Sequence, residues 1–572
     1  MRWQTINRLI QIGYHFVYRS KGRFYLYLAF FCSVLVVLDA TTLHLVAGMQ
    51  NRTFDAIMKH RIAYQPADPG VVILDIDEGS LEAMAKEYGR WPWPRQVFAE
   101  FLENLQEQQP KAVVFDILFA DPDVFNKESD DYFNETVAAT DNSFFPMLRL
   151  NPENDGLSKV TPAMIPGMGP MPGEAQEEAG IALVLPYFPA VIDSGRMGTN
   201  NIYPEKDGIV RQYAIFRGHH GWRIPSLPAR TAEVLGWTLP ESQDVLLNWR
   251  GKLGAFETVR FSDLYEDFMR RQRQRPADEF TGKVVIIGSS APSLFDTKPT
   301  PMEKIHPGVE ILATAIDNLK NGDWITSLSN PWIYSAIALT LIWLVALAFL
   351  TGISRSIIDG VFASSQVVLI GVSFASLNLS TYFIDLTAPI TAGFAYFSLA
   401  RVYAYAEVAL AERRVWLKLD GAAQGWQQTL VAVLRQAGGE SEESKTVTAL
   451  KRRLNARKEG FTVEPFPNKP AGIGRAYGDL VLIYYVGSEI LKDYPKDPAP
   501  SDEILALIKQ EAAVVCGMEM SDLPLGYSGG AMPYGDEQGR LQAWRKMVTQ
   551  AINHLQEPVL APVSAESNQK EV

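Results

Sequence analysis

Cysteine is nearly absent from this sequence: of 572 residues only Cys32 and Cys516 are cysteine. Neither falls between residues 49 and 330, so no disulfide framework can form there, and no thiolate metal site is complete anywhere in the chain. Whatever folds in that stretch must rest on its own apolar core. Positive charge is also short, with 27 Lys and Arg against 40 Asp and Glu in residues 49–330. Such an acidic balance argues against nucleic-acid binding, which needs a basic face to neutralise phosphates. The 47% hydrophobic content and 35 prolines fit packed domains rather than disorder. The length suggests roughly three folding units.

Long apolar runs are plentiful. Phe24 to Leu38 is almost unbroken, continues weakly to residue 48, and follows Arg2, Arg8, Arg19, Lys21 and Arg23. A bilayer needs about 20 apolar residues in a helix, which this run reaches if Asp39 and His44 sit near an interface. A secretory signal peptide shares the basic start and apolar middle. The run is long, however, and no small-x-small cleavage site ends it cleanly, which favours an uncleaved helix over 24–48. Trp332–Leu350, Ile357–Leu377 and Tyr382–Ala400 are three further apolar stretches with very short connectors. Arg355, Arg401, Arg413 and Arg414 flank them, and the positive-inside rule then puts both termini in the cytoplasm. Four spans place 49–330 outside. The expected organisation is a cytoplasmic segment 1–23, a helix 24–48, an exterior domain 49–330, a helix block 331–400, a cytoplasmic module 401–559 and a polar tail 560–572. Asp39 and Asp385 fall at predicted outer boundaries and read as interfacial carboxylates rather than an ion path.

Within the exterior segment, Val71–Asp77, Ala112–Phe119 and Val284–Gly288 are short β-rich runs whose hydrophobicity is continuous rather than alternating. That pattern suits strands covered on both faces, as in a parallel sheet. Pro94 and the stripe Val97, Phe98, Phe101, Leu102 and Leu105 predict a helix between the first two, hence a β-α-β crossover and an α/β domain. Ligands of open parallel sheets bind at the carboxyl ends of the strands. Asp75, Asp77, Glu78, Asp116, Ser289 and Ser290 occupy such ends, Asp116 inside its run, and with Arg95 they are the candidate ligand-binding residues. The competing role is structural: Asp77 and Asp116 pairing with Arg95, or capping turns and helices. Asp121, Asp123, Asp130 and Asp131 lack calcium-loop spacing and read as a solvated acidic loop. His219-His220 between glycines reads as a hairpin turn, and residues 150–180 as a long mobile insertion. No catalytic residue, metal or cofactor is expected.

The order of Asp75-Ile-Asp77, Trp91-Pro-Trp-Pro-Arg95, Phe115-Asp-Ile-Leu-Phe119 and Gly282-Lys-Val-Val-Ile-Ile-Gly288 resembles the CHASE2 extracellular sensor domain. So does that of Asp207-Gly-Ile-Val-Arg211, Asn248-Trp-Arg-Gly251 and Pro307-Gly-Val-Glu310 followed by Asp317-Asn318. The resemblance covers about residues 45–325. It implies a bacterial inner-membrane signalling protein whose sensor faces the periplasm. It carries over no binding residue, because the ligands of the family are largely undefined. Members usually end in a cyclase, a kinase or a cyclic-dinucleotide enzyme. Residues 401–572 depart from this: they contain no paired aspartates in a cyclase context, no phospho-acceptor histidine box and no GGDEF-like run.

The C-terminal region instead reads as a helix over 402–436, a basic helix Thr446–Lys458, a strand Asp479–Val486 and helices Asp502–Cys516 and Leu541–Leu555, a small mixed α/β module. The basic helix has the composition to touch anionic headgroups. Gly472–Gly478 lacks the lysine and preceding strand of a phosphate loop. The resulting expectation is a non-enzymatic transmembrane receptor embedded in the lipid bilayer. It senses an unidentified periplasmic ligand or protein and relays to a cytoplasmic protein partner, with homo-oligomerisation left open. The alternatives are an envelope scaffold and an enzyme with an unrecognised cytoplasmic site.

Overall fold

Helix Arg23–Leu38 (α1) opens the described chain and runs into a π-helical turn, Asp39–Leu43. The computed structural model describes residues 23–555 apart from 172–174, 329, 352, 354, 418–424, 437–439, 466–478 and 535–536. The glycine-rich 472–478 run and the polar tail lie outside the described residues. Two units separate by their contacts: residues 44–334 with 367–388, and the remainder.

The first unit begins with helix Ala47–Lys59 (α2) and is built on strand Val71–Asp75 (β1). Alternate side chains of β1 point to opposite faces, and both faces are dry. Val72 and Leu74 join a core with helices Arg95–Gln106 (α4) and Phe261–Met269 (α5). Val71 and Ile73 join a second core with α2 and helix Gly308–Asn321 (α6). Burial of each such side chain contributes roughly 1.5–3 kcal/mol. This two-sided burial is why the strands read as continuous apolar runs. Helix Glu78–Tyr88 (α3) follows β1 directly. In α4 all five residues of the expected stripe are buried, and Pro94 is its N-cap.

The sheet has seven strands. Glu257–Arg260 (β6), β1, Val284–Gly288 (β7), Ala112–Phe115 (β2) and Ser143–Arg149 (β3) form consecutive parallel pairs. Met197–Thr199 (β5) pairs parallel and Leu183–Val184 (β4) antiparallel with β3. The unit is therefore α/β, as expected. The expected crossover joins β1 to β2, but β7 lies between them, because a strand from 170 residues further on completes the centre of the sheet. Asp116 lies just past β2, not inside it, although its N–H still bonds Ile287 O at 2.7 Å.

The described residues of the insertion 150–180 make fixed contacts. They include two 3-10 turns, Asp155 grips Arg149 in a two-pronged ion pair, and Ile165 is buried. His219 and His220 do lie at a hairpin, between strands Phe216–His219 and Trp222–Pro225, and His219 Nε2 meets Gly180 O at 2.9 Å.

Among the described residues three helices are long and apolar enough to cross a membrane: Arg23–Leu43, Pro331–Leu350 (α7) and Ser356–Leu379 within helix Arg355–Leu379 (α8). The fourth apolar stretch divides. Tyr382–Phe383 is a short strand paired with Thr326–Ser327, and helix Thr387–Leu417 (α9) starts beyond it, its apolar run interrupted by Arg401. The end of α8 and the turn into α9 belong to the first unit: Leu377 and Phe383 are buried in the second core beside Phe54 and Ile57.

In the other unit, the apolar helices meet through small residues, Ala29, Ala346, Ala400 and Ala404, which allow close backbone approach. Tyr396 donates to Tyr25 O at 3.1 Å, and Arg401 pairs with Asp359 at 2.7 Å.

The C-terminal module departs from expectation at its start. The helix over 402–436 ends by Leu417, and Gly425–Gln436 (β8) is a strand, since Leu430, Ala432 and Leu434 serve one core and Val431 and Val433 the other. Helix Glu440–Arg457 (α10), strands Phe461–Pro465 (β9) and Asp479–Val486 (β10), helix Asp502–Cys516 (α11) and strand Leu525–Tyr534 (β11) follow. The antiparallel sheet runs β9–β10–β8–β11. This β-α-β-β-α-β succession is the ferredoxin-like arrangement. Here helix Glu537–Asn553 (α12) covers the face opposite α10 and α11.

Candidate functional site

The ends of β1 and β7 lie side by side, Asp75 opposite Gly288. A Cβ at residue 288 would stand 2.6 Å from Val309 Cγ2 and 2.9 Å from Asp116 Cβ, so only glycine fits. The loop after it folds back over β1. Asp75 accepts from Ser290 N at 2.8 Å and Ser290 Oγ at 2.5 Å, and Ser289 Oγ donates to Ile76 O at 2.6 Å. Glu78 accepts from Ser293 N at 2.8 Å. Asp77 caps α3 through Ser80 N at 2.7 Å and pairs with Arg260 at 2.9 Å. Five of the seven candidates thus form one network, and Asp116 adjoins it across Gly288.

Arg95 stands apart. Its guanidinium lies over Phe119, bonds the carbonyls of Trp93 and Asp121, and feels Asp130 and Asp123. Neither Asp77 nor Asp116 pairs with it: Asp77 uses Arg260, and Asp116 accepts from Asn200. Around Arg95 the acidic loop is partly folded inward, with Asp130 buried and accepting from Asp123 N at 2.7 Å. No His, Cys, Asp or Glu cluster among the described residues has the geometry to hold a metal ion.

The electrostatics separate these carboxyls. Burial pushes Asp75 up despite its bonds to Ser290. Burial acts on Asp77 too, but the Ser80 and Arg260 bonds hold it below the usual carboxylate value. The Asp116 carboxyl is enclosed although the residue keeps some surface. Burial, and then the charge of Asp296, push it up to about 8. Asp116 is therefore chiefly protonated at neutral pH. Asn200 links it to Tyr213, whose hydroxyl bonds Asn200 Oδ1 at 3.2 Å. Arg260, Asn200 and Asp296 were not legible as members of this site. Arg260 ends β6 and Asn200 follows β5, but neither short strand has an apolar run to reveal it.

A cavity of about 550 Å³ opens elsewhere in the same unit. Its lining includes Asn51 and Phe54 of α2, Glu205, Arg211, Asp244, Trp324, Tyr334, and Phe383 and Asp385 of the turn before α9. Arg211, its side chain 2% exposed, is held by Asp55 at 2.7 Å, Asp207 at 2.7 Å and Glu205 at 2.9 Å. The other shared motifs are also internal ties. Arg250 grips Asp317 and Asp323, and the Asn248 N–H donates to Asn318 Oδ1 at 2.8 Å. Trp93 packs on Phe261 at 5.5 Å.

The family description "CHASE2 domain" matches residues 29–353. The chain belongs to the CHASE2 family. The match is wider than the 45–325 of the motifs, reaching into α1 and past α7. No curated protein matches the chain, and no solved structure does. CHASE2 is an extracellular sensor domain, so the α/β unit carrying both the strand-end network and the cavity is of a sensing type.

Proposed function

We propose that this protein is a transmembrane receptor of the bacterial inner membrane, with its CHASE2 domain in the periplasm and residues 425–555 in the cytoplasm. In this reading α1, α7, α8 and α9 all span. Arg355 in one short connector and Arg401 after the last apolar stretch fit cytoplasmic helix ends under the positive-inside rule. The strand-end residues Asp75, Asp77, Glu78, Asp116, Ser289 and Ser290 lock the loops that carry the sheet's carboxyl edge. Arg95 does the same for the Asp121–Asp130 loop. A ligand meeting that edge acts by rearranging these locks.

One observation carries the relay. The sensor domain holds the turn between α8 and α9 as a piece of itself. Thr326–Ser327 pairs with Tyr382–Phe383, Ile62 N donates to Asn378 Oδ1 at 2.9 Å, and Phe54 meets Phe383 at 5.4 Å. The domain's own ends continue into α1 and α7. A ligand that prefers one arrangement of the domain therefore biases every helix it grips, by its differential affinity for the two states. Output passes to a protein that docks on the ferredoxin-like module.

The test is removal of residues 425–555. The truncated protein keeps a folded CHASE2 domain by limited proteolysis and loses the cytoplasmic partner that co-purifies with the full chain. An unchanged partner set after truncation rejects the docking role, and a stable periplasmic partner with no ligand-dependent helix movement points to an envelope scaffold.

A further inference from the structure

The cavity beside Arg211 combines negative charge, aromatic walls and a lining that includes the first turn of α7 and the turn before α9. Asp385 is 8% exposed. One of its carboxylate oxygens accepts from Thr387 N at 3.0 Å, the usual duty of an acid before a helix. Its other oxygen meets no hydrogen-bond donor and no cation among the described residues, although the side chain faces a space large enough for a small molecule. Glu205 uses Oε2 for both Asn51 at 2.7 Å and Arg211 at 2.9 Å, and burial pushes its carboxyl up against the pull of Arg211. Arg211 cannot neutralise the cavity, because Asp55 and Asp207 already claim it, and Arg217 is spent on Asp244. Of the residues that line the cavity, three carboxylates, Glu205, Asp244 and Asp385, thus face one guanidinium, that of Arg211.

Phe54, Trp324 and Phe383 line the same space, with Phe54 and Phe383 set edge to face at 67°. Aromatic faces attract a weakly hydrated cation strongly when water is excluded. They do little for a hard metal ion, which demands a shell of oxygens. We propose that this cavity binds an organic ammonium ion, either a free amine or the amine of a lipid headgroup. Asp385 and Glu205 supply the countercharge, and Phe54, Trp324 and Phe383 the walls. The inference rests on the receptor reading and deepens it: the site joins α2, the start of α7 and the turn into α9, so an occupant clamps three connections to the membrane at once.

The experiment is calorimetric titration of the full chain in phosphatidylglycerol nanodiscs with putrescine and with ethanolamine, and with 1,4-butanediol as the uncharged control. Saturable amine binding is expected, at least tenfold weaker in Asp385→Asn and in Phe383→Leu, with no binding of butanediol. Asp385→Asn retains a carbonyl acceptor for Thr387 N, and each variant is compared at equal thermal stability. Loss of amine binding when phosphatidylethanolamine is added to the nanodisc identifies the headgroup as the occupant; unchanged binding identifies a free amine. No amine binding in either lipid overturns the proposal. So does equal binding of butanediol, or Mg²⁺ binding that needs Asp385 but not Phe383. Amine binding without any movement of a spin label on α9 leaves the site standing and rejects the receptor reading.

Discussion

Replacing Arg250 with methionine removes the guanidinium that joins residues 248–251 to α6. Arg250 is 2% exposed and Asp317 is fully buried, with bonds of 2.9 and 3.0 Å between them. Two more bonds of 2.7 Å reach Asp323, and Gln65 accepts at 3.0 Å. Methionine keeps much of the volume but leaves the Asp317 carboxylate sealed from water without a cation. Breaking a buried pair from one side costs about 3–5 kcal/mol. At roughly 2–4 °C per kcal/mol for a domain of this size class, the CHASE2 transition falls by on the order of 10 °C. Asp323 stays near water and keeps Arg61 close, so it adds little to the loss. The companion variant Arg250→Met with Asp317→Leu removes both charges and recovers most of the stability, because a buried pair replaced by apolar groups is often neutral. Calorimetry of the full chain in nanodiscs reads both transitions. A single variant that melts within about 2 °C of the parent, or a double variant no better than the single, refutes the reasoning.

Other expectations follow from the strand-end network. Asp116 has a raised pKa in the folded state, so folding holds its proton, and the stability this gives is fully present below the unfolded carboxylate value. It is lost as pH rises through about 8, with a slope approaching about 1.4 kcal/mol per pH unit in between. Asp116→Asn therefore flattens the fall in thermal stability between pH 5 and pH 8.5; equal slopes in parent and variant contradict the burial of this group. Gly288→Ala forces a methyl against Val309 and Asp116 and costs about 1–3 kcal/mol by overpacking, read as a lower urea midpoint at unchanged slope. Asp77→Ala loses the α3 cap and the Arg260 partner and costs about 1 kcal/mol, a figure limited by the exposure of Arg260; a loss above 3 kcal/mol is inconsistent with that exposure.

The sequence made the three central strands and α4 legible because each is buried by a simple period: continuous for Val71–Asp75, helical for Val97–Leu105. It did not reveal that β7 separates β1 from β2, since strand order depends on pairing across some 170 residues and leaves no local trace. The 402–436 region misled because α9 runs toward an apolar strand, and Leu430–Leu434 reads as helix or strand alike until its two faces are seen. Most strand-end acids were found by position. Their partners were not, because Arg260, Asn200 and Ser293 meet them only through the fold. Arg95 reads in the sequence as a partner for Asp77 or Asp116, whereas in the fold it meets the Asp121–Asp130 loop. Nothing local announced that the turn at Tyr382–Phe383 belongs to the sensor domain, the feature on which the relay rests.

The central claim, a sensor on one side of the membrane and an output module on the other, is tested most directly by labelling with a membrane-impermeant maleimide. In a Cys32→Ser, Cys516→Ser background, Leu157→Cys probes the CHASE2 domain and Tyr494→Cys the module; the parent residues are 84% and 58% exposed. The account predicts that position 157 is labelled in sealed cells and that position 494 is labelled only after lysis. Labelling of both positions from the same side contradicts it.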